Sequence, residues 1–335
     1  MTLGATPILP VGGYEGLSRL CRAAGDRLRL EILRLLARDA YGVLELCQIF
    51  GVRQPAMSHH LKVLAEAGLV HRRREATSIY YGRSHRAASE ELDAPMQAIL
   101  AAADRLEPGE ATARGVAVVQ EARVRSSREF FAANARKLQA QQELIAPYSR
   151  YAGAVGELLS TLLAQPCALA IELGPGDGWL LPELSCRSQR VVAIDSSAEM
   201  LEQARMHCVA TGLANVELVH DDSTHARSLA ASADVVVANM VLHHTASPAS
   251  VLRDLATALR PGGLLLLSDL CTHAQGWTRE TCGDLWLGFA PEELSRWGSA
   301  AGLDEGESVY LALRNGFRIQ VRVFHRRLDA TRARS

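Results

Sequence analysis

No stretch of the chain approaches the roughly 20 consecutive apolar residues that a membrane-spanning helix requires, so none of its 335 residues is expected to cross a bilayer. Met1 to Gly16 has neither the basic start nor the apolar run of a secretory signal, and the expected location is the cytoplasm. Seven cysteines are present (Cys21, Cys47, Cys167, Cys186, Cys208, Cys271 and Cys282), but no two of them form a Cys-x-x-Cys pair. That scatter fits reduced thiols rather than a disulfide frame or a zinc knuckle. No Gly-Lys-Ser or Gly-Lys-Thr follows a glycine loop, which argues against a phosphate loop. Net charge is only −1, yet it is unevenly distributed. Residues 1–106 hold 14 Lys and Arg against 11 Asp and Glu, and the remainder holds 22 against 26. The first part therefore has the sign that phosphate contacts need.

The length suggests two domains, each able to bury its own core. In the first, helical periodicity begins near Tyr14 and becomes clear over Asp26 to Ala37, where Leu28, Leu30, Ile32, Leu33, Leu35 and Leu36 follow a capping aspartate. A second helix, Val43 to Phe50, stops at Gly51. A third starts at Gln54-Pro55, because proline in the first turn gives up no hydrogen bond. Met57, Leu61, Leu64 and Ala65 make its apolar face, leaving Gln54, Ser58, His59 and Lys62 on other faces. After Gly68, Leu69 to Arg73 and Ser78 to Gly82 predict a hairpin whose turn lies at Arg74-Glu75-Ala76-Thr77. Helix, helix, recognition helix and hairpin make a winged helix-turn-helix. Gln54, Ser58, His59 and Lys62 are the expected base-contacting residues, and Arg72, Arg73 and Arg74 the expected phosphate contacts.

The stretch Gln54-Pro55-Ala56-Met57-Ser58-His59-His60-Leu61, with Leu64, Ala67-Gly68-Leu69-Val70 and Ile79-Tyr80-Tyr81, resembles the ArsR/SmtB family of dimeric bacterial repressors over roughly residues 14 to 105. The resemblance implies a homodimer on a two-fold double-stranded DNA operator, with the predicted helix Arg86 to Leu106 packing beside the first helix against the second subunit. Metal-sensing members often carry Cys-x-Cys where this chain has Gly42-Val43-Leu44. Those thiolates are missing, and His85, Glu90 and Asp93 are poorly spaced for another site, so no metal is expected.

Glu107-Pro108-Gly109-Glu110 breaks the pattern, and the charged, glutamine-rich stretch after it predicts a connector and a helix. The expected division is residues 1–106 for DNA binding and dimerisation, 107–146 for a helical linker and 147–335 for a second domain. There, Ala168 to Leu173, Arg190 to Ile194, Val216 to Val219, Asp234 to Ala238 and Leu264 to Ser268 are buried-strand runs alternating with helical stretches. An α/β doubly wound, Rossmann-like sheet follows, with its ligand site at the carboxyl ends of the strands. Glu172-Leu173-Gly174-Pro175-Gly176-Asp177-Gly178 closes the first strand. Its glycine spacing lacks the G-x-G-x-x-G step of dinucleotide binders.

Residues 147 to 305 resemble the class I S-adenosylmethionine-dependent methyltransferases, on that loop, on Asp234 to His244 and on Leu259-Arg260-Pro261-Gly262-Gly263. By that resemblance Gly174, Gly176 and Gly178 wrap S-adenosylmethionine or S-adenosylhomocysteine, and Glu172 faces its methionine end. Asp195 meets the ribose, Asp222 or alternatively Asp221 meets the adenine amine, and Asn239 closes the fourth strand beside the cofactor. An acceptor site would fall near His243, His244 and Asp269, the candidate catalytic residues; a hydrogen-bonded structural role is the alternative for His243. Tyr148, Tyr151, Trp286 and Phe289 are candidate walls or simply core aromatics. No Asn-Pro-Pro-Tyr follows the fourth strand, and Cys208, Cys271 and Cys282 do not make an arsenic-methylating thiol cluster.

Two functions fit. One is a repressor that senses S-adenosylmethionine or S-adenosylhomocysteine, resembling the proteobacterial ArsR-type regulators with such a domain that control methionine-cycle genes. The other is a small-molecule methyltransferase with an autoregulatory DNA-binding module.

Overall fold

A computed structural model describes residues 12–75, 78–87, 89–163 and 165–328, without the side chains of residues 74, 75, 78 and 135–140. The chain divides into two compact units, Met1–Ala122 and Arg123–Ser335. Among the described residues, no helix is long and apolar enough to cross a membrane.

The first unit contains α1 (Gly13–Ala24), α2 (Arg27–Leu35), β1 (Tyr41–Gly42), α3 (Val43–Phe50), α4 (Gln54–Glu66), β2 (Val70–Glu75), β3 (Ser78–Arg83), α5 (Glu90–Asp104) and the start of α6 (Glu110–Ile145). Asp26 caps α2 by accepting from the Arg29 amide at 3.0 Å. Gly51, at φ 64°, ends α3 in the left-handed conformation that glycine adopts without strain. Met57, Leu61 and Leu64 of α4 are fully buried in a core with Leu20, Ile32, Leu33 and Leu46. The strands run β1-β3-β2, all antiparallel, with Arg72 opposite Tyr81. A close approach fixes the start of α6: a Cβ on Gly115 would lie 2.5 Å from the Ile49 carbonyl oxygen, so only glycine lets the helix lie there.

In the second unit α6 is followed by α7 (Ala152–Leu162), β4 (Cys167–Leu173), α8 (Leu181–Arg187), β5 (Ser188–Asp195), α9 (Ala198–Thr211), β6 (Val216–His220), β7 (Ala233–Asn239), α10 (Pro248–Ala258), β8 (Leu259–Leu270), α11 (Trp277–Cys282), α12 (Pro291–Ala300), β9 (Leu303–Ala312) and β10 (Arg318–Arg326). The sheet order is β6-β5-β4-β7-β8-β10-β9; the first five strands are parallel, β10 pairs antiparallel with β8, and β9 pairs antiparallel with β10. The order reverses between β4 and β7, so the loops after these two strands diverge and leave a crevice at their carboxyl ends. The apolar runs that predict the five parallel strands coincide with them. The antiparallel pair β9 and β10 is an addition that those runs do not announce.

Candidate functional site

On α4 the buried face fixes the exposed one. With Met57, Leu61 and Leu64 locked in the core, Gln54, Ser58, His59 and Lys62 all point to solvent. Lys62 makes a loose 3.8 Å ion pair with Glu66. Arg72 is exposed and Arg73 half-buried on β2; the side chain of Arg74 lies outside the described residues, as do Ala76 and Thr77. The turn before α5 uses Asp93 to accept from the Ala87 amide at 2.9 Å, so that carboxylate supports the backbone. His85, Glu90 and Asp93 do not form a metal-ligand group among the described residues.

In the second unit the crevice opens into a cavity of about 320 Å³. Glu172, Gly174, Gly176, Asn239, His243 and His244 line it, as do Tyr148 and Tyr151. Gly174, Gly176 and Gly178 follow β4 at φ 66°, 55° and 79°, conformations that cost an L-residue about 1–2 kcal/mol each. The Gly174 amide donates to the Ile194 carbonyl at 2.8 Å, tying the loop to the end of β5. Gly178 lies behind the loop, against Leu181 and Ala204.

Glu172 is 1% exposed, and its Oε2 has no hydrogen-bond partner among the described residues. Burial, with the nearby charge of Asp195 adding to it, pushes its carboxyl up to about 8. Asp195 ends β5 and accepts from the Ser197 amide at 2.9 Å; burial raises it to about 6 against the pull of the Ser197 and Ser196 amides. It is not among the residues lining the cavity. The Asp221 amide donates to the Asp195 carbonyl at 3.0 Å, which brings the two candidate adenine contacts to the same end of the sheet. Asp222 already accepts from the Thr224 amide and hydroxyl, at 2.9 and 2.6 Å, whereas Asp221 lies 3.2 Å from the His225 ring.

After β7, Met240 adopts φ 53° and its amide donates to the Ser268 carbonyl at 2.8 Å, turning the chain into the cavity. His243 Nδ1 donates to Asp269 Oδ1 at 2.8 Å, so Asp269 stands behind the imidazole and not on the cavity wall. Burial disfavours the charged His243, yet Asp269 and Asp284 outweigh it and hold the ring up at about 9. His244, its ring centroid 4.0 Å away, is driven well below its usual value by burial and by the His243 charge.

Residues of α6 brace this loop. Ser127 donates to the His244 carbonyl at 3.1 Å, and the Phe131 ring meets the His244 ring edge-on at 5.0 Å. Arg123 donates to the Ala246 carbonyl at 3.1 Å with its guanidinium 4.7 Å from the Trp286 ring. Trp286 and Phe289 are therefore packing residues: the first donates to the Thr245 carbonyl at 2.7 Å, the second packs on Trp297. Asp284, buried on the cavity wall, is the residue that sequence reasoning misses, since Cys282-Gly283-Asp284-Leu285 belongs to no recognisable motif.

Comparison with known proteins separates the units cleanly. Residues 26–72 match the family profile "Bacterial regulatory protein, arsR family", and residues 171–267 match "Methyltransferase domain". The ubiquinone biosynthesis O-methyltransferase of Aeromonas salmonicida (strain A449) is 32% identical over 168 residues, covering 44% of this chain and 69% of that protein. The chain belongs to the methyltransferases, fused to an ArsR-family unit. The enzyme of the same name from Xanthomonas axonopodis pv. citri (strain 306) is 28% identical over 182 residues, covering 50% of this chain and 76% of that one. Among solved structures, N-methyltransferase NodS from Bradyrhizobium japonicum WM9, in complex with S-adenosylhomocysteine, aligns at TM-score 0.46 and 16% identity, over 60% of this chain and 98% of that one. The cofactor of the methyltransferase unit is S-adenosylmethionine. The cavity fits it, because left-handed glycines let a ligand approach the backbone and an unpartnered buried Glu172 oxygen awaits a cation.

Proposed function

We propose that the chain is a homodimeric transcriptional repressor whose operator affinity is set by S-adenosylmethionine or S-adenosylhomocysteine in the methyltransferase unit, and that it acts in the cytoplasm on methionine-cycle genes. The observation that carries this reading is the α4 face: four polar side chains are held out to solvent by three fully buried ones, in a chain that also carries a methyltransferase domain. A binding site for DNA and one for a metabolite on a single chain are economical only if occupancy of one biases the other. Dimerisation is supported by α1, where Tyr14 and Leu17 stand exposed beside α5. The covalent path between the units runs along α6, Glu110–Ile145.

Gel-shift titration tests the DNA-binding half. His59→Ala and Lys62→Ala are expected to weaken operator binding about tenfold or more while leaving non-specific DNA binding nearly unchanged, as for base contacts worth about 1–3 kcal/mol. Arg72→Ala should instead weaken every sequence alike and flatten the salt dependence by about one unit of slope. Unchanged operator affinity in both α4 variants would remove α4 as the recognition helix.

A second reading, methyl transfer to a small molecule, is favoured by one observation. His243, backed by Asp269, shares its cavity with the glycine loop. Positioning an acceptor in line with the sulfonium is then most of what catalysis needs, and the His243 ring, kept protonated at neutral pH by Asp269 and Asp284, is a hydrogen-bond donor held beside it.

A further inference from the structure

Two imidazoles and a carboxylate converge at the inner end of the cavity. One ring nitrogen each from His243 and His244 and one oxygen of Asp284 lie within 4.8 Å of one another. All three residues are more than nine-tenths buried. His243 Nε2 and His244 Nδ1 each lie 3.8 Å from Asp284 Oδ1. His243 Nδ1 is committed to Asp269 Oδ1 at 2.8 Å, and His244 Nδ1 to the Gly283 carbonyl at 3.2 Å. Tying one nitrogen of each ring to a carboxylate or a backbone carbonyl is how proteins fix the tautomer and orientation of histidines that bind metal through the other nitrogen.

What remains is only partly satisfied. Among the described residues His244 Nε2 is buried without a hydrogen-bond partner, and Thr278 is the one side chain that hydrogen-bonds the buried Asp284 carboxylate. The Thr278 hydroxyl also lies 3.2 Å from the Gln275 carbonyl, which competes for its proton. His243 Nε2 is 3.8 Å from Asp284 Oδ1, beyond hydrogen-bonding distance. Buried polar atoms without partners are destabilising, and buried carboxylates persist where they are paired or hold a metal.

We propose that His243, His244 and Asp284 bind a divalent transition-metal ion of the zinc type, with Asp269 and the Gly283 carbonyl orienting the two rings. Two nitrogens and one oxygen leave a tetrahedral ion one open position, on the side of the cavity, for an oxygen-donor ligand such as a hydroxyl or carboxylate. The missing Cys-x-Cys removes thiolates only from the ArsR-family unit and has no bearing on this cavity. The site stands whether or not a methyl group is transferred.

The test is titration of the full-length, metal-stripped protein with Co²⁺, whose visible absorption reports tetrahedral nitrogen and oxygen ligation, followed by displacement with Zn²⁺. One ion per chain is expected at this site, with the absorption lost on adding Zn²⁺. Asp284→Asn and His244→Gln should each weaken binding about 100-fold or more, and Asp269→Asn by about 10- to 100-fold, as for a ligand-orienting partner. His325→Gln, at the partly exposed end of β10, should bind as the wild type does. Circular dichroism and calorimetric S-adenosylhomocysteine binding on each variant distinguish a lost metal site from a lost fold. Equal Co²⁺ spectra and affinities in wild type, Asp284→Asn and His244→Gln, or no tetrahedral spectrum at millimolar Co²⁺, would overturn the proposal.

Discussion

Gly174→Ala is expected to weaken S-adenosylhomocysteine binding by 100-fold or more in calorimetry, while operator binding without ligand stays intact. Two effects combine. The position sits at φ 66°, which costs an alanine about 1–2 kcal/mol. The added Cβ would also lie 2.5 Å from Val241 Cγ2. Valine is stiff about χ1 and cannot simply swing aside, so the loop that carries His243 and His244 must move. Gly212→Ala is the control, because it has φ 70° at the end of α9 with nothing within 4 Å of the new methyl. Both variants should lose comparable stability from backbone strain, but only Gly174→Ala should lose the ligand. Equal ligand affinity in the two variants would remove the glycine loop from the site.

The second large effect is a proton. With its carboxyl at about 8, Glu172 is mostly protonated in the ligand-free unit at pH 7. The sulfonium and α-ammonium of the cofactor are cations, and a cation beside the carboxyl favours its ionised form. Binding at pH 7 should therefore release close to one proton, read as a dependence of calorimetric heat on the ionisation enthalpy of the buffer. Affinity should rise with pH up to about 8 and then level. The sign for stability is the opposite. Between the unfolded value near 4.5 and the folded value near 8, only the folded chain keeps the proton, so the ligand-free unit loses stability as pH rises through that window. Glu172→Gln should abolish the proton release, remove this part of the pH dependence and weaken the ligand. Asp195, at about 6, is mostly ionised at pH 7 and contributes little there. A heat independent of buffer at pH 7 would contradict the assignment of Glu172.

Much of this was legible in the sequence because local pattern and tertiary role agree. Proline in the first turn of α4 and the spacing of Met57, Leu61 and Leu64 specify both the helix and its exposed face. The apolar run of β4 followed by glycines specifies the strand and the ligand-facing turn. β10 was obscured because it buries polar residues that disturb its pattern. Gln320 donates to the Phe289 carbonyl at 2.8 Å, and Arg322 pairs with Glu305 and donates to the Pro291 carbonyl at 3.2 Å. Its neighbour β9 is mostly exposed, with Leu303 its one fully buried residue. Asp284 was invisible for another reason. Its significance depends on a meeting with His243 and His244 across forty residues of chain, and no local spacing encodes that. The bracing of the histidine loop by Arg123, Ser127 and Phe131 was likewise hidden in a stretch that read as a connector.

The central claim is that the adenosyl ligand and the operator influence one another. It is tested most directly by titrating the operator with the full-length protein under three conditions: no ligand, saturating S-adenosylmethionine and saturating S-adenosylhomocysteine. A coupling of about 1 to 3 kcal/mol shifts operator affinity by roughly 5- to 150-fold, and ligand affinity must shift by the same factor when operator is present. S-adenosylhomocysteine is expected to weaken operator binding, as release of a repressor by an accumulating product requires. Three superimposable curves would contradict the sensor and leave a methyltransferase carrying a DNA-binding unit.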